Sequence, residues 1–238
     1  MTRKAVILAG GVGTRIRAYY PNTIKSLIEF GGKPFIYYQL QLLKKNHFPN
    51  VVICAGYGAE ELEKYISSVK WGMDIRISKD GDIPLGTGGA IKKAVPLLGY
   101  DFLVLYGDSY LDFDYQKAKR KYLDSRKPAM LTIYHNKNQF DKSNIEYDGK
   151  TILSFDKENP SPNAEYIDYG AGFYHASLFR GIPEETFDLS VIQKKLIEYY
   201  KLVEVLEIKD RFYEIGSLQG IADFQKMMEE KSVFSRVS

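Results

Sequence analysis

Five short runs rich in apolar residues, each of strand length, constrain the fold most strongly because they alternate with segments of helical spacing. The first run, Ala5 to Ala9, ends in Gly10 and Gly11, as expected for a strand buried on both faces of a parallel sheet. The others are Val51 to Ala55, Asp74 to Ile77, Phe102 to Tyr106 and Met130 to Tyr134. This alternation predicts right-handed crossovers and a mostly parallel, Rossmann-like central sheet flanked by helices.

Three of the intervening segments are predicted helices: Pro34 to Phe48, Ala59 to Ser67 and Gly89 to Leu97. After about residue 110 the pattern changes, and a β-hairpin is predicted from Ile145 to Tyr147 and Thr151 to Phe155. Further elements are a strand at Gly170 to His175, a helix at Ser190 to Tyr200, a strand at Val203 to Ile208 and a helix at Leu218 to Met228.

No linker separates these two parts of the chain, so we predict a single domain with an inserted mixed α/β lobe. Residues 1–110 are the predicted nucleotide-binding half and residues 111–230 the predicted acceptor half. Residues 231–238 are predicted to form a frayed tail.

Composition excludes several other classes of protein. The 238 residues are 45% hydrophobic, enough for a large core, and a formal net charge of +3 gives no sign of nucleic-acid binding. Cys54 is the lone cysteine, so neither an internal disulfide nor a four-ligand zinc site with the three histidines is expected. No apolar run approaches the ~20 residues of a membrane span. We predict a cytoplasmic protein with no membrane partner.

The segment after the first strand, Leu8 to Arg15, carries three glycines and is followed ten residues later by Lys25. Glycines let the backbone expose its N–H groups, which favours an anion-binding loop. Arg15 would add a planar fork for a polyphosphate, and Lys25 a point charge. The Rossmann dinucleotide fingerprint fails at Ile16, and no Walker A motif is present. A glycine-rich turn with incidental cations is the alternative interpretation.

The whole string Leu8-Ala9-Gly10-Gly11-Val12-Gly13-Thr14-Arg15 resembles the signature of the sugar-1-phosphate nucleotidylyltransferases, or nucleoside-diphosphate-sugar pyrophosphorylases. Five further segments resemble motifs of that family in the same order, so the resemblance covers residues 3 to about 225. They are the second glycine loop Pro84-Leu85-Gly86-Thr87-Gly88-Gly89-Ala90, the metal motif Tyr106-Gly107-Asp108, the pair Asp156-Lys157, the glycine strand Gly170-Ala171-Gly172 and the second metal motif Glu214-Ile215-Gly216.

The resemblance implies the GT-A-like fold of nucleotide-diphospho-sugar transferases and a role for each matching residue. Arg15 and Lys25 would be catalytic, and Asp108 and Glu214 would bind Mg²⁺. The implied nucleotide-binding residues are Leu8, Ala9, Gly10, Gly11, Gly13, Thr14, Pro84, Leu85, Gly86, Thr87 and Gly88. The implied sugar-phosphate-binding residues are Asp156, Lys157, Tyr169, Gly170 and Gly172.

The sequence departs from the family pattern in three places. Ile24 stands where a proline usually precedes the lysine, and Glu214 stands where aspartate is usual. The loops Asp141 to Asn144 and Ile167 to Gly170 differ from the sugar-contacting loops of better-known members, so the acceptor does not carry over.

The implied activity is nucleotidyl transfer from a nucleoside triphosphate to a sugar 1-phosphate, giving a nucleotide sugar and pyrophosphate. The second glycine loop with Ile91-Lys92 most resembles short bacterial enzymes that make GDP-heptose or GDP-mannose. This favours GTP and a manno-configured hexose or heptose 1-phosphate, for capsule or lipopolysaccharide biosynthesis. UTP or CTP, a non-sugar phosphate acceptor and a non-catalytic ligand-sensing role stay open, as does a homodimer.

Overall fold

The protein is described from a computed structural model, which describes residues 3–11, 13, 15–21 and 23–235. The strands are β1 (Lys4–Leu8), β2 (Glu29–Phe30), β3 (Lys33–Pro34), β4 (Asn50–Ala55), β5 (Asp74–Lys79), β6 (Asp101–Tyr106), β7 (Ser109–Tyr110), β8 (Ala129–His135), β9 (Ile145–Tyr147), β10 (Ile152–Phe155), β11 (Tyr166–His175), β12 (Val203–Ile208) and β13 (Tyr213–Glu214). The helices are α1 (Phe35–Lys45), α2 (Ala59–Ser68), α3 (Gly86–Leu98), α4 (Tyr115–Ser125), α5 (Ser177–Arg180), α6 (Leu189–Lys194) and α7 (Leu218–Ser235), with a 3-10 turn at Lys25–Leu27 and a π-helical segment at Lys195–Tyr200.

Within the described residues, nine strands form one sheet whose main path is β10-β9-β11-β6-β1-β4-β5, with β8 paired to β11 and β12 paired to β8. Strands β6, β1, β4 and β5 are parallel, and β1 lies between β4 and β6 with Ile7 opposite Ile53 and Leu105. Strand β11 runs antiparallel between β6 and β8. The predicted mostly parallel sheet is confirmed, and the second half of the chain extends this sheet.

Both faces of the sheet are covered, which explains the continuous apolar runs. Along β1, Val6 packs on one face with Ile91 of α3, while Ile7 packs on the other with Leu40 of α1. Val6 and Ile7 are both completely buried.

A third apolar cluster joins the last helix to the first half of the chain. Phe224 of α7 makes edge contacts with Phe30 and Phe35, at ring-centroid distances of 4.7 and 5.1 Å. Strand β13 pairs with β7, with Glu214 opposite Ser109. These contacts bring Glu214 beside the end of β6, over a hundred positions earlier in the chain.

Several boundaries differ from the predictions for identifiable reasons. Helix α3 begins at Gly86, before the predicted Gly89, because the intervening glycines pack against the backbone and ring of Phe187. Helix α7 continues to Ser235, beyond the predicted Met228 and into the predicted tail. The ladders β2–β3 and β7–β13 are two residues long, too short to leave a periodic pattern. Among the described helices, none has the length and apolarity needed to cross a membrane.

Candidate active site

The site begins where the parallel strands β1 and β6 end side by side. The N–H of Gly107 donates to the carbonyl of Leu8 at 3.0 Å. A Cβ on Gly107 would lie 2.5 Å from the Leu8 oxygen and 2.9 Å from the Cα of Ala9. Gly107 therefore permits the close approach that places Asp108 next to the first glycine loop, at the carboxyl edge where α/β proteins bind ligands.

We expect Gly107→Ala to destabilise the fold by about 1–3 kcal/mol, because the added methyl group meets backbone atoms on a neighbouring strand that cannot rotate away. Urea unfolding measures this change. Gly181→Ala is the matched control, since no atom lies within 4 Å of its Cβ position and its unfolding midpoint should stay near that of the wild type. Equal midpoints for both variants would contradict the tight packing of Gly107.

A first cavity of about 330 Å³ opens at this edge and brings the two predicted glycine loops together. Its walls are formed by Leu8, Ala9, Gly10, Gly11, Ile24, Lys25, Ser26, Cys54, Asp80, Pro84, Gly86, Thr87, Ala90, Tyr106, Gly107 and Asp108.

Three predicted nucleotide-binding residues do not line this cavity. Gly13 borders a smaller neighbouring cleft, and the Leu85 N–H points to Asp80 Oδ2 at 3.4 Å. The Gly88 N–H donates to the carbonyl of Phe187 at 2.9 Å, and a Cβ there would overlap the Phe187 ring. Gly88 is therefore needed for packing between α3 and the segment before α6. Thr14 lies outside the described residues.

Lys25 lies in the wall of the first cavity and donates to Asp108 Oδ2 at 3.0 Å. The residue before it, Ile24, has φ −71° and ψ 143°. A proline would fix φ at about −65°. Ile24 therefore has the backbone conformation that a proline at this position would impose. Its side chain fills the space beside Gly58, where a Cβ would lie 2.0 Å from Ile24 Cγ2.

A second cavity of about 310 Å³ adjoins the first. Tyr106 and Asp108 line both cavities. The remaining wall of the second cavity is formed by Arg15, Ser109, Asp141, Asn144, Lys157, Ile167, Asp168, Tyr169, Gly170, Phe212 and Glu214.

The two predicted metal ligands and Arg15 converge on Gly216. The position of a Cβ on Gly216 would lie 2.7 Å from Glu214 Oε2, 2.9 Å from Arg15 Nη2 and 3.3 Å from Asp108 Oδ2. Asp108 and Glu214 thus bring two carboxylates together in the wall of the second cavity, and a hard divalent cation takes one or two protein carboxylates and completes its shell with substrate oxygens and water. The described residues therefore fit a divalent metal ion.

The longer side chain of Glu214 is accommodated by folding back against the start of α7. Its carboxylate accepts hydrogen bonds from the Gly216 N–H and the Ser217 hydroxyl. A Cβ on Gly220 would lie 2.2 Å from Glu214 Oε1, so only glycine leaves room for the carboxylate there. A glycine in the first turn of α7 thus makes room for the longer side chain of Glu214.

Of the predicted sugar-phosphate residues, Lys157 and Gly170 line the second cavity. Lys157 Nζ donates to the hydroxyl of Tyr106 at 2.9 Å and lies 3.6 Å from Asp168 Oδ2. Gly170 has φ 94°, and a Cβ there would lie 3.2 Å from Tyr106 Cδ2.

The other three predicted sugar-phosphate residues, Asp156, Tyr169 and Gly172, make contacts that hold the fold together. The Tyr169 side chain is buried in the aromatic core, although the residue borders the second cavity. A Cβ on Gly172 would lie 2.8 Å from the Tyr174 ring. Asp156 pairs with Lys194 at 2.6 Å and accepts the N–H groups of Glu158 and Asn159. These contacts turn its carboxylate away from the second cavity.

The hydrogen bond from Lys194, followed by those from the loop N–H groups, lowers the pKa of Asp156 to about 2. In an unfolded chain the pKa of an aspartate is about 3.9. The stabilisation by Asp156 is therefore complete above that pH and is lost as the pH falls through about 2. We expect Asp156→Asn to lower the urea midpoint at pH 6, with a difference from wild type that shrinks towards pH 2. A raised KM for a sugar phosphate would contradict this structural role.

Asp80 and Tyr106 are among the cavity residues to which the sequence analysis assigned no role. Asp80 follows β5, and its Oδ2 lies 3.4 Å from the Cβ position of Gly10, between the two glycine loops. Burial raises its pKa. The sequence signal that could have identified Asp80 as a site residue is its position just after a predicted strand and before a glycine loop. Tyr106 was quoted only as part of the Asp108 motif, and its apolar neighbours gave no sign that its hydroxyl faces the site.

A parallel sheet with two glycine loops at its carboxyl edge, and two adjoining cavities there, characterises a protein that binds a nucleotide beside a second ligand. The nucleotidyl transferase family profile matches residues 4–231, and the chain belongs to this family. Nucleotidyltransferases of this family typically use a divalent metal ion.

Individual relatives agree with this assignment. The chain is 34% identical to the D-glycero-alpha-D-manno-heptose 1-phosphate guanylyltransferase of Campylobacter jejuni over 49% of this chain and 52% of that protein. It is 27% identical to the glucose-1-phosphate thymidylyltransferase of Streptomyces antibioticus over 75% of this chain and 51% of that protein. The chain thus spans about half the length of these curated relatives.

The fold is also that of a solved structure, HddC from Yersinia pseudotuberculosis complexed with GMP-PN, with a TM-score of 0.76 and 21% identity. This likeness covers 94% of this chain and 99% of that one.

Proposed function

We propose that the protein transfers a nucleotidyl group from a nucleoside triphosphate to a sugar 1-phosphate. The observation that carries this proposal is the meeting of two cavities at Asp108 and Tyr106, with Lys25 in the wall of one and Arg15 and Lys157 in the wall of the other. The base and ribose would occupy the first cavity and the acceptor the second, and the triphosphate would lie where the cavities meet, beside Asp108 and Arg15. This assigns residues 1–110 mainly to the nucleotide and residues 111–230 mainly to the acceptor.

In the proposed reaction, a phosphate oxygen of the acceptor forms a bond to the α-phosphorus while the bond to pyrophosphate breaks. Both reactants are anions, so cationic side chains must offset their repulsion and the charge that builds on the leaving group. Lys25 would contact the α-phosphate, Arg15 the departing pyrophosphate and Lys157 the acceptor phosphate. The acceptor phosphate is already ionised near neutral pH, so no general base is needed, and positioning and electrostatics supply the rate.

Asp108 and Glu214 would hold Mg²⁺, which would supply Lewis-acid stabilisation of phosphate charge. Lys25 and Arg15 lie beside these carboxylates, so two cationic side chains balance their charge next to an anionic substrate.

We propose guanine as the base, and Asp80 supports this choice. Guanine presents two adjacent N–H donors, N1–H and the N2 amino group, that a carboxylate can accept together. Uracil and thymine instead flank their single N–H with two carbonyl oxygens, which a carboxylate repels. The Campylobacter relative is named as a guanylyltransferase of a manno-heptose 1-phosphate. We therefore favour a manno-configured heptose or hexose 1-phosphate as the acceptor. We further propose that the enzyme is a cytoplasmic homodimer and that its product is used in surface glycan biosynthesis.

The test is pyrophosphate release from each of ATP, CTP, GTP, UTP and dTTP with mannose, glucose and heptose 1-phosphates at saturating Mg²⁺. We expect GTP with a manno-configured acceptor to give the highest kcat/KM. Asp80→Asn, whose amide can donate to a carbonyl, should narrow the GTP-to-UTP ratio of kcat/KM by about tenfold, the size of one good polar contact. A wild-type preference for UTP, CTP or dTTP would exclude the guanylyl assignment and leave the reaction class standing.

A further inference from the structure

Tyr106 forms the wall between the two cavities, and its position is fixed from several sides. Its carbonyl accepts a hydrogen bond from Gln39 Nε2 at 2.9 Å, and the same nitrogen lies 2.8 Å from the carbonyl of Ser109. The Tyr106 ring lies against Gly170, where a Cβ would be 3.2 Å from the ring. Gly170, which has φ 94°, thus leaves room for the Tyr106 ring.

The Tyr106 hydroxyl lies between a cation and an anion. It donates to Asp168 Oδ2 at 3.1 Å and accepts from Lys157 Nζ at 2.9 Å. The ammonium of Lys157 also lies 4.6 Å from the centre of the Tyr106 ring, within cation–π distance. Burial, followed by the Asp168 charge, raises the pKa of Tyr106 well above its usual value, so the hydroxyl remains protonated at neutral pH.

Asp168 is held in place independently of Lys157. Its backbone N–H donates to Asn144 Oδ1 at 3.0 Å, and its Oδ1 accepts from the Gly170 N–H at 3.1 Å. Its side chain is 5% exposed, whereas that of Lys157 is 37% exposed. The carboxylate is a fixed buried anion, and the ammonium is the group that can move.

The distance from Lys157 Nζ to Asp168 Oδ2 is 3.6 Å, longer than the about 2.8 Å of a direct charged hydrogen bond. The Tyr106 hydroxyl is hydrogen-bonded to both groups, and Lys157 lies in the wall of the second cavity. We propose that Tyr106, which lines both cavities, is a positioning residue that holds Lys157 in the wall of the second cavity, where it would contact the phosphate of the acceptor. This inference rests on the proposed function, because it gives Lys157 an acceptor phosphate to bind.

Tyr106→Phe removes the hydroxyl and keeps the ring. Lys157 should then close onto Asp168, and phosphate binding should weaken about tenfold, the worth of one charged hydrogen bond. Calorimetric titration with mannose 1-phosphate, glucose 1-phosphate and inorganic phosphate measures this, on the protein alone and with a non-hydrolysable GTP analogue bound. Tyr122→Phe is the matched control, because its hydroxyl donates to Asp101 Oδ1 at 2.7 Å, outside both cavities. Its phosphate affinities should equal those of the wild type.

A double-mutant cycle with Lys157→Met separates positioning from general damage. If Tyr106 acts through Lys157, adding Tyr106→Phe to Lys157→Met causes no further loss of phosphate affinity. In turnover assays Tyr106→Phe should raise the KM for the acceptor and leave the KM for the nucleotide unchanged. Three results would overturn the inference. The double variant could lose phosphate affinity by the full effect of both substitutions, Tyr106→Phe could bind phosphate as tightly as the wild type, or the wild type could bind none of the three phosphates. Normal phosphate binding without any nucleotidyl transfer would remove the proposed function alone.

Discussion

Asp108→Asn is expected to reduce turnover at saturating Mg²⁺ by roughly a thousandfold or more, because it removes one of two carboxylates that face the proposed metal position. The amide is nearly the same size, so the packing at the end of β6 is kept. The pair of Asp108 with Lys25 is partly exposed and contributes little to folding. The melting temperature should therefore stay close to that of the wild type, as measured by calorimetry.

Asp74→Asn is the control for this variant, since Asp74 is exposed on β5 and pairs with Arg76, two positions further along the chain. Its turnover should match that of the wild type. Wild-type activity in Asp108→Asn would remove the metal-binding role of Asp108. A large fall in melting temperature would instead give it a structural role.

Arg15→Ala is expected to lower kcat by about a hundredfold, the typical cost of losing one group that stabilises charge in the transition state. The Arg15 guanidinium lies beside Asp108 and Glu214, where the pyrophosphate would leave. The interaction strengthens as charge builds on the leaving group, so kcat should fall more than the KM for the sugar 1-phosphate rises. Steady-state kinetics with both substrates varied separates these two effects.

Arg76→Ala removes a guanidinium from the exposed edge strand β5 and should leave both constants unchanged. If Arg15→Ala changes only the KM for the acceptor, Arg15 contacts the ground-state sugar phosphate and not the leaving group.

The sheet could be predicted from the sequence because its central strands are buried on both faces. Val6 and Ile7 face opposite layers and are both fully buried, so the run from Ala5 to Ala9 has no polar alternation that would suggest an edge strand. The start of α3 was harder to place, because Gly86, Gly88 and Gly89 have weak helix propensity and are required by their contacts with another segment.

The candidate site could be read from the sequence where a motif carries the group, as for Asp108 just after β6 and Lys25 in the 3-10 turn before β2. It was not predictable for Asp156, because the adjacent Lys157 enters the cavity while Asp156 pairs with Lys194, thirty-eight positions further along the chain. The roles of Asp80 and Tyr106 depend on contacts with glycines in other loops, which no local pattern records. Long-range packing thus decides which members of a motif face the cavity.

The most direct test of the proposed function is to incubate the protein with GTP, mannose or heptose 1-phosphate and Mg²⁺ and to quantify both products by mass spectrometry and a pyrophosphate assay. We predict that GDP-sugar and pyrophosphate form in equal amounts, and that both form roughly a thousandfold or more slowly with Asp108→Asn. Release of inorganic phosphate without a nucleotide sugar, or no nucleotide sugar with any pairing of nucleoside triphosphate and sugar 1-phosphate, would contradict the proposal.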